Sequence, residues 1–95
     1  MEYVYAPRYI KQFDALSVPH QQLALDTDAG IRRYYQTGEA SFGLRIKRLH
    51  TSAHGKVFEA RVSISLRTLW LQHGRQVTFV LLGSHDEVRR FLRAF

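Results

Sequence analysis

Near Leu44 the spacing of apolar residues changes from that of a helix to that of a strand. This switch restricts the chain to helices first and a sheet afterwards. Upstream, Tyr9, Phe13 and Leu16 recur at four- and three-residue steps, and Leu23, Thr27, Ile31 and Tyr34 or Tyr35 do the same. Pro7 and Pro19 suit the first turns of these two helices, where a missing N–H has no partner to lose, and Gly38 suits a C-terminal cap. Gly30 weakens the second helix in its middle. Downstream, Phe58, Ala60, Val62 and Ile64 alternate with Glu59, Arg61, Ser63 and Ser65, the pattern of a half-buried strand. Leu44 to Leu49 and Leu66 to Gln72 read as strands too. Val77 to Leu82 is apolar on both sides and belongs in the sheet centre.

Two short pieces complete the outline. Glu2 to Tyr5 reads as a strand, and His73-Gly74-Arg75 as a tight hairpin loop. Ser84 and Glu87 form a capping box ahead of Val88, Phe91, Leu92 and Phe95, so a last helix closes the chain. The expected fold is α+β, a single domain over residues 1–95. Two N-terminal helices pack on one face of a mainly antiparallel four-stranded sheet, the other face stays partly open, and a short C-terminal helix follows.

Composition narrows the function. Cysteine is absent, which excludes disulfides, a thiolate nucleophile and zinc held through sulfur. No leader and no apolar run of membrane-spanning length is visible, so a soluble, cytoplasmic protein is expected. Fourteen Lys and Arg oppose eight Asp and Glu, a net charge of +6, and most of the cations follow Gly43 or form the Arg32-Arg33 pair. Such an excess favours a polyanion, because each phosphate contact releases counterions.

Alternation places Glu59 and Arg61 on the side of their strand opposite Phe58 and Val62. Arg45 and Lys47 likewise lie opposite Leu44 and Ile46. Arg67 opens the next strand, and His85 lies just past Val77–Leu82. A carboxylate, several guanidiniums and an imidazole then converge, a set suited to RNA cleavage. That reaction needs a base for the 2′-OH, an acid for the leaving 5′-oxygen and cations for the charged phosphorane. The structural alternatives are a cross-strand charge pair for Glu59 and an exposed first-turn position for His85. Asp86 and Glu87 belong to the helix cap, and Trp70 to the core. His50 and His54 have a spacing that binds metal on a helix, but Gly55-Lys56 makes this segment a loop, and neither metal nor cofactor is expected.

Leu44-Arg45-Ile46-Lys47-Arg48-Leu49, Val57-Phe58-Glu59-Ala60-Arg61-Val62, Leu66-Arg67-Thr68-Leu69-Trp70 and above all Gly83-Ser84-His85-Asp86-Glu87-Val88 resemble the RelE/ParE toxin superfamily of bacterial toxin–antitoxin pairs. The resemblance implies two helices on a four-stranded antiparallel sheet, and a ribosome-dependent mRNA endoribonuclease held in check by an antitoxin partner. It implies catalytic roles for Arg61, Arg67 and His85, with Glu59 as a further candidate. Arg45, Lys47, Arg48, His50, His54 and Lys56 are its candidate RNA contacts. Two departures accompany it: Glu59 stands where some ribonuclease members carry Lys, and no Tyr follows His85. A gyrase-inhibiting toxin and an inactive RNA- or protein-binding relative are the alternatives within the same fold.

Overall fold

The computed structural model describes residues 1–95. Strand β1 (Glu2–Tyr5) leads into helices α1 (Pro7–Asp14) and α2 (Val18–Thr37). A 3-10 turn over Phe42–Leu44 precedes β2 (Lys47–Ser52), β3 (Gly55–Arg61), β4 (Arg67–His73) and β5 (Gln76–Gly83), and α3 (His85–Ala94) ends the chain. The strand order is β1-β5-β4-β3-β2, with β2 to β5 an antiparallel meander and β1 parallel to β5. No helix is long and apolar enough to cross a membrane.

The sheet thus has five strands where four were expected. The fifth is the amino-terminal strand, which Tyr3 and Tyr5 fix by stacking on Phe79 of β5 at 6.5 and 5.0 Å between ring centres. Parallel neighbours need a long crossover, and everything from α1 to β4 supplies it.

A larger departure concerns the sheet's second face. Helices α1 and α2 cover one side, where Tyr9, Ala24 and Ile31 pack against Ala60, Val62, Trp70, Phe79 and Leu82. The other side stays open only at one corner: α3 lies on the rest, and Val88 joins Val57, Leu69 and Leu81 in a second core, flanked by Phe91 and Leu92. The alternation explains this, because Val57, Leu69 and Leu81 face away from α1 and α2 and each gains about 1.5–3 kcal/mol by leaving water.

Pro7 and Pro19 start their helices, and Gly38 takes the left-handed conformation at the α2 C-terminus, as the sequence suggests. Gly30 has a reason of its own. A Cβ there would lie 2.8 Å from a Leu44 methyl, so the glycine admits Leu44 against α2 and anchors the 3-10 turn. The segment read as one strand from Leu44 to Leu49 is therefore a turn followed by a strand, and Arg45 between them is left-handed at φ 48°. The β3 strand ends at Arg61 rather than continuing, and Ile64, read as an inward residue, is 89% exposed. The segment around His50 is strand, not loop, until Ser52; only Ala53 and His54 make the turn.

At the centre, the fully buried Trp70 stacks on Phe58 at 5.6 Å and donates its indole N–H to the Tyr35 hydroxyl at 2.8 Å, which in turn donates to Gln72 Oε1 at 3.1 Å. Tyr35→Phe strands that buried N–H. A loss of about 1–3 kcal/mol is expected, measurable by urea unfolding, and an unchanged midpoint would remove the bond from the stability of the core.

Burial also pushes the Tyr5, Tyr9 and Tyr35 phenols up, with Asp28 adding to the shift at Tyr5 and Tyr9. Groups raised in the folded state contribute stability that is complete below the ordinary phenol value near 10 and lost as pH rises through the folded values. Alkaline unfolding above pH 10 should therefore coincide with the appearance of the Tyr9 phenolate. Ionisation of all tyrosines with the fold intact would contradict this.

Candidate functional site

Helix α3 crosses its face of the sheet from the end of β5 toward β2, where the Phe95 ring meets His50 edge-on at 5.6 Å. The corner beyond its N-terminus stays uncovered, and there a pocket of about 350 Å³ is lined by Arg45, Ile46, Lys47, Glu59, Arg61, Arg67 and His85. Larger hollows lie beside α3, lined by Arg8, Glu87, Arg90 and Phe91, and near the β2–β3 turn, lined by His54, Leu71, His73 and Thr78. Neither joins an imidazole, a carboxylate and several cations.

Register builds this corner. Lys47 pairs with Glu59 across β2 and β3, and Arg61 pairs with Arg67 across β3 and β4. Two guanidiniums directly opposite one another repel. Glu59 offsets part of that, with an oxygen 3.9 Å from Arg67 Nε in a pair whose side chains are only 12% and 15% exposed. Arg67 Nη1 also donates to the Ser63 and Ile64 carbonyls at 2.9 and 3.1 Å, closing the β3–β4 turn. Arg61 has no comparable partner: its Nε is buried and makes no hydrogen bond. Four permanent cations thus face one carboxylate, a surplus that a ligand anion would neutralise.

His85 is the first residue of α3, directly after Ser84. The Ser84 hydroxyl accepts from the Glu87 N–H at 3.2 Å, and a Glu87 carboxylate oxygen accepts from the Ser84 N–H at 3.0 Å. This reciprocal cap consumes its neighbours and leaves the exposed His85 imidazole at the pocket edge, on the positive end of the helix dipole.

The structure therefore gathers Glu59, Arg61, Arg67, His85, Arg45 and Lys47 around one pocket. It does not gather the remaining candidates. Arg48 pairs with Phe58, and Lys56 with Gln72, so both belong to the α2 side of the sheet. His50 is held against Phe95, and His54 sits in the β2–β3 turn. No group of three metal-binding side chains forms. Sequence reading missed Ile46, which lines the pocket.

No family model and no curated protein matches the sequence. Solved structures do. A chain of the archaeal RelE–RelB complex from Pyrococcus horikoshii superimposes with a TM-score of 0.68 at 10% identity, covering 87% of this chain and 92% of that one. YoeB from Staphylococcus aureus gives 0.67 at 8% identity, covering 90% and 97%. The chain has the RelE/ParE toxin fold. A chain of the E. coli DinJ–YafQ toxin–antitoxin complex agrees, with a TM-score of 0.64 at 14% identity over 92% and 94% of the two chains. Within this RelE-like fold the uncompensated cations belong to the sheet corner beside α3.

Substituting Arg61→Met removes a half-buried guanidinium whose buried Nε has no partner, without breaking a hydrogen bond. The melting temperature should hold or rise, while the salt dependence of polyanion binding falls by about one phosphate contact. A large drop in stability would show that Arg61 serves the fold instead.

Proposed function

We propose that the chain is the toxin of a type II toxin–antitoxin pair, an mRNA endoribonuclease that acts on the translating ribosome in the cytoplasm. The observation that carries this reading is the opposed Arg61–Arg67 pair, offset only by Glu59 and flanked by His85. A pair of guanidiniums clamps a phosphodiester through its two non-bridging oxygens, and stabilises the phosphorane more than the ground state because charge grows there.

Proton transfers complete the reaction. Glu59 is the pocket's one carboxylate, and it takes the proton of the 2′-OH. The 2′-oxygen attacks phosphorus, and His85 delivers a proton to the departing 5′-oxygen, leaving a 2′,3′-cyclic phosphate and a free 5′-hydroxyl. The pocket is only half enclosed, which fits a site completed by a macromolecular surface, and the ribosome supplies one. Toxin folds of this kind occur with antitoxins, as in DinJ–YafQ. An acidic, extended segment of such a partner would cover the cationic corner, in keeping with the net charge of +6.

Expression of the chain alone in a bacterium should arrest growth and create new mRNA 5′ ends. His85→Ala should lower cleavage by about 10²–10⁴-fold with the melting curve unchanged. Arg61→Ala is the cleaner arginine test, because Arg67→Ala also releases the β3–β4 turn. Replication arrest with intact mRNA would point to a gyrase inhibitor, and normal growth to an inactive relative.

A further inference from the structure

The two most exposed large hydrophobic side chains in the chain are Phe42 at 86% and Ile64 at 89%. Neither is scattered at random. Phe42 lies under the guanidinium of Arg45, 5.3 Å from ring centre to Cζ, and Arg45 lines the cationic pocket. The Ile64 carbonyl accepts from Arg67, which lines it too. The cationic pocket thus has an exposed aromatic ring beside one of its arginines.

The turn that presents Phe42 is held in a demanding conformation. Arg45 is the chain's one non-glycine residue with positive φ, a region that costs such residues of the order of 1 kcal/mol. Its N–H donates to the Phe42 carbonyl at 3.2 Å, and Leu44 pins the turn to α2 through the notch at Gly30. The result is an aromatic ring with one face under a cation and the other turned to water. Burial does not explain the ring, since most of its surface stays wet.

We propose that the Phe42–Arg45 turn is a base-stacking shelf at the lip of the cationic pocket. An unpaired base of single-stranded RNA lies on the open face of Phe42, while Arg45, Arg61 and Arg67 hold the phosphate next to it. Exposed aromatic rings beside a positive groove are how proteins hold single strands, because every base has a π face and the groove tracks the backbone. Bases inside a duplex are already stacked and cannot reach the ring. The shelf rests on the ribonuclease reading only in taking RNA as the polyanion.

The test uses the full chain and a 2′-O-methyl RNA heptamer carrying one 2-aminopurine, which cannot be cleaved through its 2′ position. Wild type should bind it with quenched fluorescence. Phe42→Ala should lose about tenfold in affinity together with the quenching, Phe42→Trp should retain both, and an abasic heptamer should bind wild type and Phe42→Ala alike. The side chain is exposed, so the fold should survive, as circular dichroism will verify. Unchanged binding and quenching in Phe42→Ala overturns the shelf alone. Wild-type affinity in Phe42→Leu also overturns it, since an apolar contact without stacking marks a docking point for a protein side chain. If wild type binds no heptamer, the shelf falls, while the ribosome-dependent ribonuclease reading stands or falls on the mRNA 5′ ends. Binding and quenching without mRNA cleavage would remove the ribonuclease reading and leave the shelf standing.

Discussion

Strands β3, β4 and β5 are buried on both faces at their middles, yet the helix that covers the second face, α3, has only ten residues. A helix of that length spans about 15 Å, less than the width and length of the surface it must shield. The apolar set Val57, Leu69 and Leu81 marks the ground it covers, and the change to Glu59, Arg61 and Arg67 marks where cover stops. The pocket is the remainder of this mismatch. Its position is fixed by where β5 ends, because α3 must start there and leads with His85.

Several features that burden the fold collect in this corner. Like charges face each other at Arg61 and Arg67, a buried guanidinium nitrogen goes without a partner, and Arg45 adopts a left-handed backbone. A chain of this size has only about 5–15 kcal/mol of net stability to set against such terms. The rest of the structure is conservative by comparison: stacked rings around Phe79, a satisfied indole at Trp70, a complete capping box on α3. Such burdens gathered beside one cationic pocket are consistent with the proposed site.

Much of this was legible in the sequence, and the failures have definite causes. Alternation located Glu59, Arg61 and Arg67 because β3 and β4 are regular there, and the capping signature located His85. The same alternation placed Lys47 at the start of β2 correctly, but it does not carry past Arg48. A bulge between Arg48 and His50 breaks the count, so Leu49 and His50 both turn toward the α3 side while Arg48 turns to the other. The left-handed Arg45 was invisible, since it depends on Leu44 reaching Gly30, a contact between residues far apart in sequence. The parallel pairing of β1 and the face chosen by α3 are likewise long-range outcomes. The position of α3 follows from apolar residues on both sides of β5, which require cover above and below.

The capping box bears on chemistry as well as on folding. It fixes the first turn of α3 against Gly83, where a Cβ would come within 3.1 Å of the Glu87 side chain, so the backbone that carries His85 has little freedom. Arg67 is fixed by two carbonyls and by Glu59. Arg61, flanked by these, is the cation whose hydrogen-bonding capacity is unspent. An anion arriving between them meets donors already in place, and no protein group has to break a bond to receive it. Electrostatic stabilisation of a bound anion is largest under that condition, because the reorganisation has been completed during folding.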